Sequence, residues 1–176
     1  NGMRVDMTDI ERNTIFQDWM AAHKTILFKV ARAYGATHSD REDLFQEIAL
    51  QLWHSIDAFR GDSAAATWIY RVALNTAIAW GRKQGRHGRG REDFAAATAL
   101  LVAPPARDHR LEWIYERISE LDEVNRSLTL LILDGFSYRD ISQILGLSES
   151  NVGVKIKRVK ARLAGRLAKE EDDGFR

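Results

Sequence analysis

Apolar residues recur every three or four positions along most of the chain, which is the spacing of amphipathic helices. The first predicted helix runs from Thr14 to Tyr34, ends at Gly35 and has the apolar positions Ile15, Trp19, Ile26, Val30 and Tyr34. Ser39 and Glu42 predict a capping box at the start of a second helix, with apolar positions Leu44, Ile48, Leu52 and Ile56. Gly61 interrupts this pattern, and a third helical pattern follows it.

The C-terminal part of the chain shows the same periodicity in shorter units. Two predicted helices carry the apolar sets Leu111, Ile114, Ile118, Leu121 and Val124, Leu128, Leu131, Ile132. Ser137 with Asp140 predicts the start of a short helix that Gly146 ends, and Ser148 predicts the cap of a long final helix. Almost no segment alternates as a strand would, so the sequence predicts an all-α fold.

One segment breaks the helical pattern and suggests a domain boundary. Residues 81–93 are rich in glycine and arginine, and two adjacent prolines follow at 104 and 105. Such a composition is typical of an irregular linker, with room for a short helix near residues 95–102. We therefore expect two small helical domains joined by a flexible linker, the second ending in a helix-turn-helix. The predicted parts are a front domain at 3–82, a linker at 83–108, a back domain at 109–169 and an acidic tail at 170–176.

The composition narrows the class of protein. With 176 residues, 45% of them apolar, the chain can bury one medium core or two small ones. It has no cysteine, which excludes a disulfide framework and a cysteine-based zinc site. The mainly apolar run at 128–133 is far too short to span a bilayer, and Asn1-Gly2 before Met3 reads as a remnant of expression. We expect a cytoplasmic protein without membrane insertion.

The net charge of +1 conceals two strongly basic segments. Between Trp68 and Arg91 there are six Lys or Arg residues and no acidic residue, and between Glu149 and Lys169 there are seven Lys or Arg residues and one Glu. Two separate basic segments indicate two places that meet a polyanion such as nucleic acid. The alternative is that each segment is only the solvated face of a helix.

The segment at 136–163 has the features of a helix-turn-helix. Gly146 supplies the turn, Leu147 fills the angle between the helices, and the helix capped by Ser148 has the apolar face Val152, Ile156, Val159 and Leu163. The N-terminal part of such a helix enters the major groove, so the predicted base-reading residues are Ser150, Asn151, Val154, Lys155 and Arg158. The cations expected to hold phosphates are Lys157, Lys160 and Arg162. A helical hairpin with a solvated basic face is the alternative.

Three motifs, in this order, resemble a known family. DLFQEI, residues 43–48, resembles a polymerase-binding motif, and W-x-Y-R-V-A-x-N, residues 68–75, resembles a promoter-melting helix. The final helix is similar to the pattern S-x-G-T-V-K-S-R-L-x-R-A. Together they resemble bacterial RNA polymerase sigma factors of the small two-domain extracytoplasmic-function group, over about residues 10–90 and 110–168.

The resemblance implies a sigma factor that binds core RNA polymerase and directs promoter-specific initiation. It implies polymerase docking through Asp43, Leu44, Gln46 and Glu47. It implies contact with the minus-ten element, as duplex and melted strand, through Phe59, Arg60, Asp62, Trp68, Tyr70, Arg71, Asn75, Arg82 and Lys83. The predicted reading helix would then meet the minus-35 element through Ser150, Asn151, Val154, Lys155, Arg158 and Arg162. A further implied partner is an anti-sigma factor.

The aromatic and basic helix near residue 70 suits this role physically. Aromatic faces stack on unpaired bases and basic groups follow the backbone, which is the combination that single strands require. Extruding a base loses a few kcal/mol of stacking and pairing, so a receptive pocket must offset that loss. The loop at 56–67 matches the place where the family holds a flipped base. Trp68 also suits a core position, since it shares a helical face with Val72, and Trp80 is expected in the core.

Two departures from the family's final helix bear on promoter choice. Asn151 stands where Thr is usual, and Gly153 stands where Lys is usual. Glycine inside a helix is less favourable than alanine by about 1 kcal/mol. The sequence leaves open whether Gly153 permits close approach to the phosphate backbone or is only tolerated.

Other classes of function are weaker. The five histidines are scattered, and no nucleophile elbow or phosphate-binding glycine loop is present, so an enzyme is not expected. Asp43 and Glu47 at helical spacing suggest a carboxylate metal site, but no third ligand has matching spacing, and no metal or cofactor is expected. The main alternative is a dimeric helix-turn-helix regulator that acts without touching polymerase. That alternative leaves the DLFQEI motif and the aromatic helix unexplained.

Overall fold

The computed structural model describes residues 8–87 and 109–173, and the chain divides into two compact units, Asn1–Pro105 and Ala106–Arg176. These are called the front unit and the back unit. Among the described residues every regular element is helical, which confirms the all-α fold class. None of the described helices combines the length and the apolar character needed to cross a membrane.

Three helices and a short turn form the front unit. They are α1 (Asp9–Tyr34), α2 (His38–Ser55), a 3-10 turn (Ile56–Ala58) and α3 (Ala65–His87). The three helices pack on one another around fully buried side chains that include Leu27, Leu44, Ile48, Leu52, Ile69 and Leu74. The apolar residues that recur every three or four positions therefore mark the helix faces that meet in the core.

The start of α2 differs from the prediction. Thr37, rather than Ser39, is the N-cap, and its hydroxyl accepts a hydrogen bond from the Asp40 backbone N–H at 3.1 Å. The Asp40 carboxylate accepts in return from the Thr37 N–H at 3.2 Å. Thr37 has the extended backbone that a capping residue requires, and this places Ser39 inside the first turn. The predicted Ser39–Glu42 capping box is wrong by one half-turn of helix.

The end of α3 also differs from the prediction. The helix continues to His87, into the segment predicted as linker from residue 83. Gly81 weakens a helix by about 1 kcal/mol but does not stop it, since glycine keeps its N–H for the helical hydrogen bond. The rest of the predicted linker, including the short helix near 95–102, lies outside the described residues.

Four helices form the back unit: α4 (His109–Ser119), α5 (Glu123–Leu133), α6 (Tyr138–Leu145) and α7 (Glu149–Asp173). Its core contains Ile118, Leu121, Leu128, Leu131, Ile141, Val152 and Ile156. Ser137 caps α6, Gly146 ends it in the left-handed conformation at φ 67°, and Ser148 accepts from the Asn151 N–H at 3.3 Å. These caps and the turn glycine are confirmed. The predicted acidic tail starts within α7, and residues 174–176 lie outside the described residues.

Candidate polymerase and DNA interfaces

An acidic arc on α2 contains three of the four residues predicted to bind polymerase. Asp43 and Gln46 are exposed, and Glu47 is half-buried and accepts a hydrogen bond from Gln51 Nε2 at 2.9 Å. We call Asp43, Gln46 and Glu47 the docking arc. Leu44 is fully buried in the core between the helices, so its prediction as a contact residue is wrong. Successive residues of a helix point about 100° apart, so Leu44 faces the core although its neighbour Asp43 is exposed.

The docking arc borders an open concavity of about 850 Å³ between α2 and α3. Its lining residues are Asp43, Glu47, Gln51, Asn75, Thr76, Ala79, Trp80, Lys83 and Gln84. The structure thus places the carboxylates predicted for polymerase beside Asn75 and Lys83, which were predicted for DNA. Trp80 is half-buried in this wall and not in the core as expected.

Aromatic contacts anchor the loop between the 3-10 turn and α3, residues 59–64, which we call the promoter loop. The Phe59 ring lies edge-on to Trp19 at 5.2 Å and tilted against Trp68 at 5.7 Å. Trp68 Nε1 also donates a hydrogen bond to Ser55 Oγ at 3.1 Å. Phe59 and Trp68 are both half-buried, so much of each ring holds the loop to the helices. Their contact with a melted strand stays a prediction.

Tyr70 is buried, which corrects its prediction as a strand-contacting ring. It has no exposed surface and is among the largest fully buried side chains of the front unit. Ala73 and Ala77, three and seven residues further along α3, are buried on the same face. A ring with no exposed face cannot stack on a base without unpacking the core. The sequence signal was ambiguous because an aromatic residue in a basic helix suits both a core and a stacking surface.

The polar residues predicted for the minus-ten element do lie at the surface. In the promoter loop Arg60 and Asp62 are exposed on either side of Gly61, whose φ of 75° is a conformation that glycine adopts without strain. Along α3 Asn75, Arg82 and Lys83 are exposed and Arg71 is half-buried. Residues four and eleven positions apart share one flank of a helix, so Arg71, Asn75 and Arg82 form a row.

In α7 the core face and the predicted reading face are cleanly separated. Val152, Ile156 and Val159 are buried, whereas the exposed residues include Ser150, Asn151, Val154, Arg158 and Arg162. Lys155 is half-buried. Val154 is 50% exposed despite being apolar, and an exposed methyl group is what contact with a thymine methyl requires.

A carboxylate beside Lys155 was missed by the sequence analysis. Asp122, the N-cap of α5, accepts hydrogen bonds from the backbone and the side chain of Asn125. Burial raises the pKa of Asp122, but these hydrogen bonds and the nearby charge of Lys155 outweigh it, so the net pKa is lowered. The positive charge of Lys155 therefore acts on an acidic cap of another helix, and only the tertiary structure could reveal this.

Gly153 faces protein and not the open side of α7. A methyl group at this position would meet Tyr138 Cε2 at 3.5 Å, which is an ordinary van der Waals contact. The absence of a side chain at residue 153 therefore leaves a small gap against the first turn of α6.

Among the residues that the structure describes, no three His, Asp or Glu side chains gather as metal ligands would.

Family comparisons match both units separately. The description "Sigma-70 region 2" fits residues 19–87, and the description "Sigma-70, region 4" fits residues 111–163. The ECF RNA polymerase sigma-E factor of Escherichia coli K12 is 31% identical over 134 residues, which are 69% of this chain and 70% of the relative.

Two solved structures are similar over most of the chain. CnrH, solved in complex with the cytosolic domain of CnrY, has a TM-score of 0.66 at 25% identity and covers 89% of this chain and 90% of its own. The sigma factor RpoE of Bartonella quintana, solved with the anti-sigma factor NepR, has a TM-score of 0.69 at 22% identity, over 88% of this chain and 98% of its own.

Proposed function

The chain belongs to the extracytoplasmic-function sigma factors of bacterial RNA polymerase, and we propose how its surfaces divide the work of initiation. The docking arc binds core polymerase, the promoter loop and α3 open the minus-ten element, and α7 reads the minus-35 element. The observation that carries this proposal is that each of these elements combines a buried apolar face with exposed polar side chains of the chemistry its target requires. The factor acts without catalysing a reaction of its own.

The minus-35 element is read from the major groove by the first turns of α7. Exposed Asn151 can bond adenine with its amide, and Arg158 can bond guanine with its guanidinium. Arg162, further along the helix, is placed to hold a phosphate. Lys155, whose charge also acts on Asp122, would approach the groove from the same helix.

The minus-ten element is opened by the promoter loop and the exposed row of α3. Arg60 and Asp62 receive the extruded base, while Phe59 and Trp68 hold the loop to the helical core beneath them. Arg71, Asn75 and Arg82, with Lys83, follow the strand next to the loop. Cations track the backbone and the loop supplies base choice, which separates affinity from specificity.

Polymerase is bound through the docking arc. The arc is acidic, and two of its three residues, Asp43 and Gln46, are exposed, which suits a basic groove on a protein and repels DNA. Since the same concavity contains Asn75 and Lys83 on its opposite wall, polymerase bound there would lie next to the residues that follow the strand. Docking and melting would therefore be adjacent events on the front unit.

An anti-sigma factor is a further proposed partner. The similar sigma factor RpoE of Bartonella quintana was solved with the anti-sigma factor NepR, and CnrH was solved with the cytosolic domain of CnrY. Such a protein would keep this factor from polymerase until a signal releases it.

The decisive experiment is co-migration of the purified full-length chain with core RNA polymerase on a sizing column without DNA. We expect a one-to-one complex. Absence of a complex, together with tight binding of promoter duplex by a dimer of the free chain, would contradict the proposal and favour a dimeric regulator.

A variant of the docking arc tests the surface within that experiment. Gln46→Ala combined with Glu47→Ala should weaken polymerase binding by at least tenfold, while Asp18→Ala, which removes an exposed carboxylate from α1, should not. Normal binding by the double variant would remove the arc from the interface. Circular dichroism of all three proteins checks that the helices are intact.

A further inference from the structure

One stripe of α1 lies against the root of the promoter loop. Arg12, Phe16 and Trp19 are four and three positions apart, so they share a helical face. Trp19 contacts Phe59 inside the promoter loop. Arg12 contacts Asp57 just before that loop, and both Arg12 and Phe16 contact Trp53 near the end of α2. None of the functions proposed so far uses Arg12 or Phe16.

Arg12 makes two contacts at this root. Its Nη2 donates to Asp57 Oδ2 at 2.5 Å, and Asp57 is the middle residue of the 3-10 turn. Its guanidinium carbon also lies 5.8 Å from the centre of the Trp53 ring on α2. The Phe16 ring also contacts that indole, edge-on with the ring centroids 5.5 Å apart. Arg12 is only 26% exposed, so it is packed in this place and not extended into solvent.

The 3-10 turn determines where the promoter loop leaves α2. The Phe59 N–H donates to the Ile56 carbonyl at 3.0 Å, so the turn and the first residue of the loop move together. The inner side of the turn is held by buried Ile56 and by Phe59. Its outer side is held by the Arg12–Asp57 pair. A loop held on both sides is pre-organised, and pre-organisation reduces the entropy lost when a base is captured.

The segment containing Arg12 and Phe16 precedes residues 19–87, which match the family's region 2. The ion pair therefore joins a part of the chain outside the matched region to the start of the promoter loop. We propose that Arg12 is a positioning residue for the promoter loop: through Asp57 and Trp53 it sets the angle at which Arg60 and Asp62 meet the extruded base. This inference rests on the proposed function of that loop.

The test measures base choice by polymerase reconstituted with the full-length factor. Transcription from a promoter library randomised across the minus-ten element gives, for each variant, the ratio of output from the preferred and the disfavoured base at each position. We expect Arg12→Ala to reduce this ratio by about fivefold at one position. Because the ratio is taken within one preparation, a lower amount of folded protein would reduce both outputs and leave the ratio unchanged.

Three further variants locate the effect. Asp57→Asn should reduce the same ratio, and the double variant of Arg12 and Asp57 should reduce it no further, because the two side chains act as one unit. Arg12→Lys should restore part of the ratio, since lysine keeps the charge but lacks the planar group that lies on Trp53. Lys24→Ala, which removes an exposed charge from the same helix, should leave the ratio at the wild-type value.

The outcomes separate the inference from the function on which it rests. If Arg60→Ala and Asp62→Ala change base choice but Arg12→Ala does not, the positioning role is overturned and the loop's function stands. If none of these variants changes base choice, both are overturned. If Arg12 and Asp57 variants have additive effects, Arg12 does not act through Asp57, which overturns the inference as well.

Discussion

The two units place the helix proposed to contact DNA on a buried core in different ways. In α7 the residues predicted to read DNA lie off the core, and buried positions such as Val152 and Ile156 are purely aliphatic. In α3 and the promoter loop, aromatic side chains belong both to the core and to the surface proposed to contact DNA. Tyr70 is fully buried, whereas Phe59 and Trp68 are half-buried. The surface proposed to read DNA in the back unit therefore leaves its core alone, while the surface proposed to contact DNA in the front unit is built partly from core residues.

This difference follows from what each surface must do. A helix that reads closed duplex needs only a rigid axis and exposed polar groups, so the core beneath it can be chosen independently. A surface that receives an extruded base must hold a loop in one conformation, and large rings packed beneath the loop supply that rigidity. Variants should therefore separate stability from DNA binding in the back unit more completely than in the front unit.

The largest expected effect is on the stability of the front unit. Tyr70→Ala should lower the free energy of unfolding by about 3–5 kcal/mol, because it leaves a cavity where a whole aromatic ring was buried. Urea unfolding of the full chain followed by tryptophan fluorescence measures this, since four of the five tryptophans, Trp19, Trp53, Trp68 and Trp80, belong to the front unit.

The matched control for this change is Tyr70→Phe, which keeps the ring and should retain most of the stability. If Tyr70→Ala instead unfolded like the wild type and only promoter opening suffered, Tyr70 would be a surface residue in solution. The burial of its ring, and with it the contrast between the two units, would then be incorrect.

The next effect belongs to the back unit and should leave stability almost unchanged. Lys155→Ala with Arg158→Ala should weaken binding of the holoenzyme to its promoter by roughly 1–3 kcal/mol for each base-reading side chain that is removed. Titrating labelled promoter and mismatched duplexes measures affinity and base choice together. Lys157→Ala is the matched control: as an exposed cation expected to hold a phosphate, it should weaken all sequences alike and lower the salt dependence. Unchanged promoter choice in the double variant would remove both residues from the reading surface.

The same contrast decides how much could be predicted from sequence. In the back unit, helical periodicity, Ser137 and Ser148 as caps and Gly146 as the turn were sufficient to predict α6 and α7, because aliphatic and polar residues separate unambiguously. In the front unit the resemblance implied contact roles for Tyr70 and Leu44, which are both buried, since a motif in sequence does not say which of its residues faces inward. For Leu44 the helical periodicity alone had indicated the apolar face. Long-range pairs such as Arg12 with Asp57, and Asp122 beside Lys155, have no local signal and required the tertiary structure.

A smaller effect concerns the stability that Asp122 contributes to the back unit and how this contribution depends on pH. Asp122→Ala should lower the free energy of unfolding by about 1 kcal/mol near neutral pH, since it removes the cap of α5. The pKa of Asp122 is lowered from its ordinary value of 3.8, so its contribution is present above that value and is lost as pH falls through the still lower folded pKa. Urea unfolding followed by circular dichroism at a series of pH values should show the difference from wild type shrinking in acid.

The control for this pH dependence is a cap that does not titrate. Ser148→Ala removes the hydroxyl that accepts from the Asn151 N–H, so its cost should not shrink in acid as the cost of Asp122→Ala does. A difference for Asp122→Ala that stays constant down to strong acid would show that its charge adds nothing to the cap.

The smallest effect concerns Gly153. It tests whether residue 153 of α7 faces α6 or the DNA backbone. Gly153→Ala should raise the free energy of unfolding by about 0.5–1 kcal/mol, because it stiffens α7 and the added methyl group meets only Tyr138 at 3.5 Å. Gly61→Ala is the opposite control, since φ of 75° is strained for alanine and should lower stability. Promoter affinity should be unchanged by Gly153→Ala. A loss of affinity with a gain in stability would mean that the DNA backbone approaches residue 153, and α7 would then share with α3 the property of using one position for both packing and DNA.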